Sequence, residues 1–303
     1  IAAKTGSPKL PYAEWTFMEY NDADDGNGIG LGVENNRGEA RQVGSTNLAN
    51  VIFQTDRPIS YPSTRIFYVK KNAETVLNDF ASSLNMGDPS TLSDFISYSA
   101  ENYPAKRYWL TLDDHGSGYR GICWDKTSNN DILNMTELRK AYADANLKFN
   151  IISYDACLMA MLEDLYQGKE FANFFTASEP PIPATGYNYI DIVGNLTKVP
   201  HQTDEFFAIK TVESYSSQYS APGAKAALSA IKGAELATLA VRADDFADVV
   251  LANLQDPIFK TWVMLARKNA QKYYSSVYFI RDLYHFAQLV DQFTNIPAVD
   301  VAA

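Results

Sequence analysis

One histidine and one cysteine in this sequence have the surroundings of chemically reactive residues. His115 is followed by the segment Gly116-Ser117-Gly118, and Cys157 lies 42 residues after the histidine, two positions beyond Asp155. A thiolate is a strong nucleophile and an imidazole exchanges protons near neutral pH, so the pair could perform acyl transfer. Because glycine lets the backbone approach a substrate closely, the N–H groups of Gly116 and Cys157 are candidate donors to an oxyanion.

Two short apolar runs must position these residues. Residues 108–112 (YWLTL) stop shortly before His115, and residues 149–154 (FNIISY) stop at the same distance before Cys157. Both runs are rich in β-branched and aromatic residues and end in polar sequence, which is typical of a buried strand in an α/β sheet. We therefore expect each reactive residue to follow the carboxyl end of a strand.

A helical pattern lies between the two runs. Its apolar positions, which could face a core, are Leu133, Leu138, Tyr142 and Ala145. Asn134 or Thr136 could cap its start. The order strand, helix, strand makes a right-handed crossover between parallel strands, whose carboxyl ends lie at one edge of the sheet. His115 and Cys157 are therefore predicted to be neighbours in space.

The sequence after Cys157 predicts an amphipathic helix that starts at the cysteine. Its apolar positions are Leu158, Met161, Leu162, Leu165 and Tyr166. A helix N-terminus favours negative charge, so it would stabilise the Cys157 thiolate and lower the pKa of the thiol.

The rest of the chain alternates strand and helix patterns. Further strands are predicted at residues 11–20, 45–54, 64–70, 173–177 and 225–231. Further helices are predicted after the turn at 87–92 and at about 203–219, 235–254, 258–271 and 278–290. The proline-rich residues 178–189 are expected to form a loop that lines a cleft.

These patterns predict an α/β fold in one domain over residues 1–303. Residues 1–200 would hold the core of a mostly parallel sheet flanked by helices. Residues 201–303 would add the last strand and a helical extension packed on that core. No linker or internal repeat in the sequence suggests a domain boundary.

Composition and charge exclude several classes of partner. The net charge of −10 argues against nucleic acid and anionic membranes, both of which select for basic surfaces. The apolar runs are shorter than the roughly 18 residues that span a bilayer, so no membrane span is expected. Cys123 and Cys157 cannot form a disulfide framework or a cysteine metal site. Both thiols are expected to be free, with Cys123 buried as a small apolar residue.

Residues 21–28 (NDADDGNG) form an acidic stretch after the first predicted strand. The spacing of its carboxylates suggests calcium, but the ligand pattern of an EF-hand is not met. We expect an ordinary solvated turn there. The sequence identifies no metal site, and calcium remains a possible cofactor without an assigned position.

Two segments of the sequence resemble the signatures of a known family. The segment from His115 to Gly118 and the segment from Asp155 to Met159 resemble the two motifs of clostripain-like cysteine peptidases, of the caspase and gingipain clan. The similarity extends over roughly residues 85–200. It implies a caspase-like three-layer sandwich, here with additional C-terminal helices.

The resemblance also implies roles for individual residues. His115 would be the acid and base and Cys157 the nucleophile of an endopeptidase that cleaves after arginine or lysine. Asp155 would lie at the floor of the pocket for the basic side chain, and a carboxylate there suits the arginine fork. A cap at the end of a strand is the alternative for Asp155. Glu179 and Asp114 are weaker candidates for substrate contact, and the alternative is that each is a solvated carboxylate.

The family further implies maturation by a cut at a basic residue between the histidine and the cysteine. Lys126 lies in a polar stretch and is the best exposed candidate for self-cleavage. The family is bacterial and commonly exported, so a secreted or cell-surface location is expected. Protein or peptide substrates and a monomeric state are expected as well. Calcium is used by some relatives.

Other interpretations of the same residues remain open. His115 could cap a turn and Cys157 could be merely buried, which would make the protein a catalytically inactive binding or scaffold protein with a caspase-like fold. Catalysis could instead be directed to acidic residues, as in caspases, although Asp155 speaks against this. His201 and His285 are expected to be structural.

Overall fold

The computed structural model describes residues 12–24, 30–57, 63–273 and 280–294. Contacts divide the chain into two compact units, the first ending at Gly233 and the second beginning at Ala234. The sequence predicts one domain whose helical extension starts at residue 201. In the structure, residues 201–233, which include the last strand, belong to the same unit as the sheet. The boundary between the two units therefore lies after Gly233 and not at residue 201.

The first unit contains a large mixed sheet. Its strands are β1 (Ala13–Asp22), β2 (Ala49–Asp56), β3 (Arg65–Lys70), β4 (Ala73–Asp79), β5 (Ala105–Asp113), β6 (Ile122–Asp125), β7 (Asp131–Leu133), β8 (Phe149–Asp155), β9 (Ala172–Ala177) and β10 (Ser229–Lys232). Eight of the described strands form one sheet in the order β10-β9-β8-β5-β1-β2-β3-β4, while β6 and β7 form a separate antiparallel ribbon. The five central strands are parallel, and β10, β3 and β4 are antiparallel to their neighbours.

Helices of the first unit form two groups. They are α1 (Gly30–Val43), α2 (Pro89–Asn102), α3 (Met135–Ala145), α4 (Leu162–Gly168), α5 (Tyr189–Lys198) and α6 (Asp204–Gln218), with a short 3-10 helix at Gly118–Arg120. A second 3-10 helix, Gly233–Glu235, spans the boundary between the two units in the sequence. In one group α5 contacts both α1 and α6, and in the other α3 contacts both α2 and α4. The sequence patterns predict neither α1 and α5 nor β4 and the β6–β7 ribbon.

Aromatic side chains of β1 pack against both groups of helices. The ring of Phe17 lies 6.3 Å from that of Tyr189 in α5, and the ring of Tyr20 lies 6.0 Å from that of Phe95 in α2. Side chains at odd and even positions of a strand point to opposite faces of the sheet. The two groups therefore cover opposite faces, which confirms the predicted three-layer α/β architecture. All of β1 is buried, as a central strand covered on both faces should be.

The crossover from β5 through α3 to β8 has the predicted order. The Asn134 side chain accepts the N–H groups of Thr136 and Glu137, while the Glu137 carboxylate accepts the N–H of Asn134. This capping box satisfies N–H groups that the start of a helix otherwise leaves without partners. β5 and β8 pair in parallel and bring Asp113 level with Asp155.

The acidic segment after the first strand is buried rather than solvated. Asn21 and Asp22 end β1, and neither Asp22 nor Asp24 has exposed surface. Asp22 pairs with Asp56 at the end of β2, and burial raises the pKa of Asp56 to about 7. The prediction of a solvated turn is therefore wrong for these residues, and residues 25–29 of that stretch lie outside the described part of the chain.

The second unit consists, in its described part, of three helices with an apolar core of their own. They are α7 (Leu236–Asn253), α8 (Pro257–Asn269) and α9 (Leu283–Thr294), which confirms the helical character predicted for this region. The core residues are Phe246, Val250, Phe259, Ala266, Ala287 and Val290. Throughout the described ranges, no helix has the length and apolar character needed to cross a membrane.

The first prediction concerns the contribution of the capping box of α3 to stability. Replacing Asn134 with alanine removes the acceptor for two N–H groups, and we expect the free energy of unfolding to fall by about 1 kcal/mol. Urea unfolding measures the change. Thr136→Ala is the matched control, because its exposed side chain has no part in the capping box, and it should change stability by less than about 0.5 kcal/mol. Equal unfolding midpoints for the two variants would contradict the role of the cap.

Candidate active site

The register of β5 and β8 places His115 beside Cys157. Asp113 and Asp155 end the two strands as direct neighbours in the parallel ladder, and each reactive residue follows its aspartate by two positions. Both His115 and Cys157 line the same cleft at the carboxyl ends of the strands. The structure therefore brings together the two residues that the sequence singles out.

The cleft has a floor from the strand ends and a wall from the loop after β9. Its lining residues are Asn36, Asp113, Asp114, His115, Asp155, Ala156, Cys157, Ile182, Pro183, Ala184 and Gly186. The loop residues come from the proline-rich stretch that the sequence predicts to line a cleft. Asn36 lies on α1, which no sequence pattern predicts, and Asp113 belongs to the strand end itself.

The Cys157 thiol is half-buried and held against the loop. The N–H of Ile182 donates a hydrogen bond to Sγ over 3.3 Å. Burial raises the pKa of the thiol, and the negative charges of Asp155 and Asp114 add to this rise, while the Ile182 N–H opposes it. The thiol therefore needs a base or a change in local charge to ionise near neutral pH.

The predicted helix does not start at Cys157. α4 begins at Leu162, and Leu158 has a positive φ of 66°. The intervening backbone is bonded elsewhere, because the N–H of Leu158 reaches the carbonyl of Pro180 and that of Ala160 reaches the carbonyl of Ser178. The expectation that a helix N-terminus lowers the pKa of the Cys157 thiol is therefore wrong.

Gly116, the residue after His115, lies in direct contact with the backbone of Cys157. A Cβ atom at this position would lie 2.2 Å from the carbonyl oxygen of Cys157 and 3.0 Å from its nitrogen. Such distances leave no room for a side chain, so only glycine fits without movement of the backbone. The N–H groups of Gly116 and Cys157, the candidate oxyanion donors, consequently belong to adjoining segments.

Asp155 is buried, and one of its carboxylate oxygens accepts two hydrogen bonds while the other accepts none. Its side chain is 3% exposed, and Oδ2 accepts the N–H of Tyr187 and the hydroxyl of Tyr189 over 2.9 and 3.0 Å. Oδ1 accepts no hydrogen bond, although the residue lines the cleft. Burial raises the pKa of Asp155 to about 6, and the two donors oppose that rise. The residue thus fastens the loop through one oxygen, while its other oxygen is buried without a hydrogen-bond partner.

Two further carboxylates lie beneath the cleft. Asp113 accepts the side-chain amides of Asn21 and Asn36 over 3.0 and 2.6 Å, and Asp114 accepts the N–H of Trp124 over 2.6 Å. Both carboxylates are 5% exposed, and burial raises the pKa of each. Asp114 is therefore not the solvated carboxylate that the sequence suggests as its alternative role.

The remaining candidates lie elsewhere. Glu179 is half-buried in the loop after β9 and is not among the lining residues of the cleft. Lys126 is exposed in the turn between β6 and β7. Cys123 is a free, fully buried thiol, as predicted. His201 is exposed beside Glu14.

A metal site finds no support in the described side chains. No group of three or more histidine, cysteine, aspartate or glutamate residues among them is arranged to hold an ion. No step of the chemistry below is assigned to calcium.

Fold and cleft together define a class of protein, a caspase-like α/β domain that carries an imidazole and a thiol at one sheet edge. Two solved structures share the fold at 22% identity. A secreted C11 cysteine protease from Bacteroides thetaiotaomicron, in complex with an irreversible peptide inhibitor, matches with a TM-score of 0.66 over 78% of this chain and 71% of its own. An inactive zymogen C11 protease from Parabacteroides distasonis matches with a TM-score of 0.73 over 96% of this chain and 81% of its own.

The sequence itself identifies the family. The chain belongs to the clostripain family, Peptidase C11, whose model matches residues 37–302. Clostripain from Hathewaya histolytica is 31% identical over an alignment of 216 positions that covers 57% of this chain. The chain spans only 40% of the length of that relative.

The contact at Gly116 makes the second prediction. Gly116→Ala forces a methyl group against the backbone of Cys157, and we expect a loss of about 1–3 kcal/mol in the free energy of unfolding together with slower labelling of Cys157 by a thiol reagent. Gly38→Ala is the matched control, because a methyl group there meets nothing within 4 Å and lies inside α1. That control should be stabilised by up to about 1 kcal/mol. Urea unfolding and mass spectrometry provide the measurements, and wild-type stability of Gly116→Ala would contradict the close contact.

Proposed function

We propose that this chain is a cysteine endopeptidase that cleaves peptide bonds after arginine or lysine, with Cys157 as the nucleophile and His115 as the acid and base. Membership of the clostripain family supports a cysteine peptidase. The observation that carries the residue assignment is that His115 and Cys157 line one cleft at the ends of adjacent parallel strands. Proteins and peptides are the substrates.

In the proposed reaction, Cys157 and His115 cleave the peptide bond in two steps, acylation and hydrolysis. Cys157 gives its proton to His115 as Sγ attacks the carbonyl carbon of the bond to be cut. The N–H groups of Gly116 and Cys157 stabilise the oxyanion that forms. His115 then returns the proton to the departing amine and leaves an acyl-enzyme, which a water molecule, deprotonated by His115, hydrolyses to the free acid and the thiol.

Charge supports a preference for basic side chains. The unoccupied Oδ1 of Asp155 is a buried acceptor at the cleft, and such an oxygen favours a cation over a neutral group. The guanidinium of arginine fits a carboxylate with two hydrogen bonds, whereas lysine offers a point charge. Glu179 lies outside the lining and remains a weaker candidate for substrate contact.

One relative supports a proposal for the location of the protein. The Bacteroides thetaiotaomicron relative is described as secreted, and we infer a secreted or cell-surface location for this chain. A monomer is the expected state.

The activity makes the third prediction. Fluorogenic peptides ending in arginine or lysine should be cleaved much faster than the same peptides ending in citrulline, which has the shape of arginine without its charge. Cys157→Ala should abolish cleavage, because no other group can form the acyl-enzyme, and Cys123→Ala should retain it as the control thiol variant. Release of fluorophore is the measurement. Undiminished cleavage by Cys157→Ala would refute the mechanism, whereas cleavage by neither the wild type nor Cys123→Ala would favour an inactive scaffold.

Lys126 makes the fourth prediction. Its turn between β6 and β7 is exposed and lies between the two catalytic candidates in sequence, so we propose that the enzyme cuts there during maturation. Incubated protein should yield two fragments that meet after Lys126, whereas Lys126→Gln and Cys157→Ala should remain intact. Lys148→Gln is the matched control, because Lys148 is also exposed and lies in the loop between α3 and β8. Fragment masses decide the outcome, and fragments from Lys126→Gln identical to those of the wild type would exclude the site.

A further inference from the structure

The cleft that holds Cys157 is lined by several carboxyl groups. Asp113, Asp114 and Asp155 line it, and each is at most 5% exposed. Glu19, fully buried in β1, lies close enough to interact electrostatically with both Asp113 and Asp155. Three carboxyl groups therefore line the cleft, and a fourth lies close behind them on the neighbouring strand.

Several oxygens of these groups have no partner. Oδ1 of Asp155, Oδ1 of Asp114 and Oε2 of Glu19 are buried and accept no hydrogen bond. A buried carboxylate oxygen without a donor is costly, because it has lost water and gained nothing in return. Protonation of the carboxyl group or a positively charged ligand can offset this cost.

The surroundings do not supply that charge. The titratable groups that face Asp155 or Cys157 are Glu19 on β1, Glu39 on α1, Asp113, Asp114 and His115 after β5, Tyr187 and Tyr189 before and on α5, and Tyr215 and Tyr219 on and after α6. Among the described residues that line the cleft there is no lysine or arginine, and His115 alone can carry a positive charge.

We propose that the basic side chain of the substrate completes this pocket and that its positive charge, bound beside Asp155, promotes ionisation of the Cys157 thiol. The inference rests on the proposed function and goes beyond it, because the substrate then acts as an activator of the nucleophile in addition to being recognised. The free enzyme keeps its thiol protonated. Binding of a guanidinium or ammonium group increases the fraction of thiolate, with His115 or water accepting the proton.

The size of the effect follows from the charges around the sulfur. The negative charges of Asp155 and Asp114 both raise the pKa of the Cys157 thiol. A cation that cancels one of these charges should lower this pKa by about one unit, which gives about tenfold more thiolate below the pKa. A less basic thiolate is also less nucleophilic, so the observed gain in reaction rate is about threefold to fourfold.

Alkylation of the thiol tests this inference without any peptide bond being cut. Iodoacetamide is neutral and reacts with the thiolate, which displaces iodide and forms a thioether. We expect the rate at Cys157, followed by the mass of its peptide, to rise about threefold to fourfold near neutral pH when N-methylguanidinium is added. N-methylurea, of similar shape but neutral, should have no effect at matched ionic strength. The midpoint of the pH profile should fall by about one unit with the cation present.

Two variants test whether the cation acts on the Cys157 thiol through Asp155 or through the overall charge of the protein. Asp155→Asn keeps an oxygen for Tyr187 and Tyr189 but loses the charge, so its thiol should react faster than that of the wild type without any cation and should not respond to one. Asp144→Asn, on the exposed side of α3, is the matched control and should behave as the wild type. Circular dichroism and full labelling at high pH establish that the variants are folded and their thiols accessible.

The outcomes distinguish the two proposals. Suppose that arginyl peptides are cleaved faster than citrullyl peptides, but N-methylguanidinium does not accelerate alkylation of the wild type or slows it. This result would overturn the inference and leave the proposed function intact. The absence of any preference for basic substrates would overturn the proposed specificity itself. Acceleration that survives in Asp155→Asn would show that Asp155 is not the group through which the cation acts.

Discussion

The parallel register between β5 and β8 is the constraint on which the candidate site depends. Asp113 and Asp155 are paired across the ladder, and the residue two positions beyond each is His115 or Cys157. Because successive residues of a strand rise by about 3.3 Å, a slip of one position would displace the two reactive groups by that distance and turn the side chains of the slipped strand to the opposite face of the sheet. The buried apolar faces of both strands resist such a slip.

Burial of carboxyl groups is the second organising feature. Asp155 directs one oxygen to the N–H of Tyr187 and the hydroxyl of Tyr189, so the loop that forms the wall of the cleft is fastened to its floor. Asp113 is satisfied by amides from β1 and α1. The same residue type that holds the cleft together therefore also supplies its acidic groups.

The sequence predicts correctly those strands that are buried and therefore consist of continuous apolar residues. Residues 108–112 and 149–154 became β5 and β8, and Asn134 marked the start of α3, because strand burial and helix capping are local signals. The sequence of α1, Gly30–Val43, is polar and rich in glycine, so its helical state depends on contacts with β1, β2, β3 and α5. Asn36 of the cleft could not be predicted for that reason. The burial of the acidic residues escaped prediction because aspartate is ordinarily exposed.

The loop after β9 is attached to the site at two points only five residues apart. Ile182 donates its N–H to the sulfur of Cys157, and Tyr187 donates its N–H to the carboxylate of Asp155. A deletion, an insertion or a stiffer residue between these points shifts both attachments at once. A change in this loop that alters substrate preference therefore also alters the environment of the Cys157 thiol. A change at a rim position outside the loop leaves both of these hydrogen bonds in place.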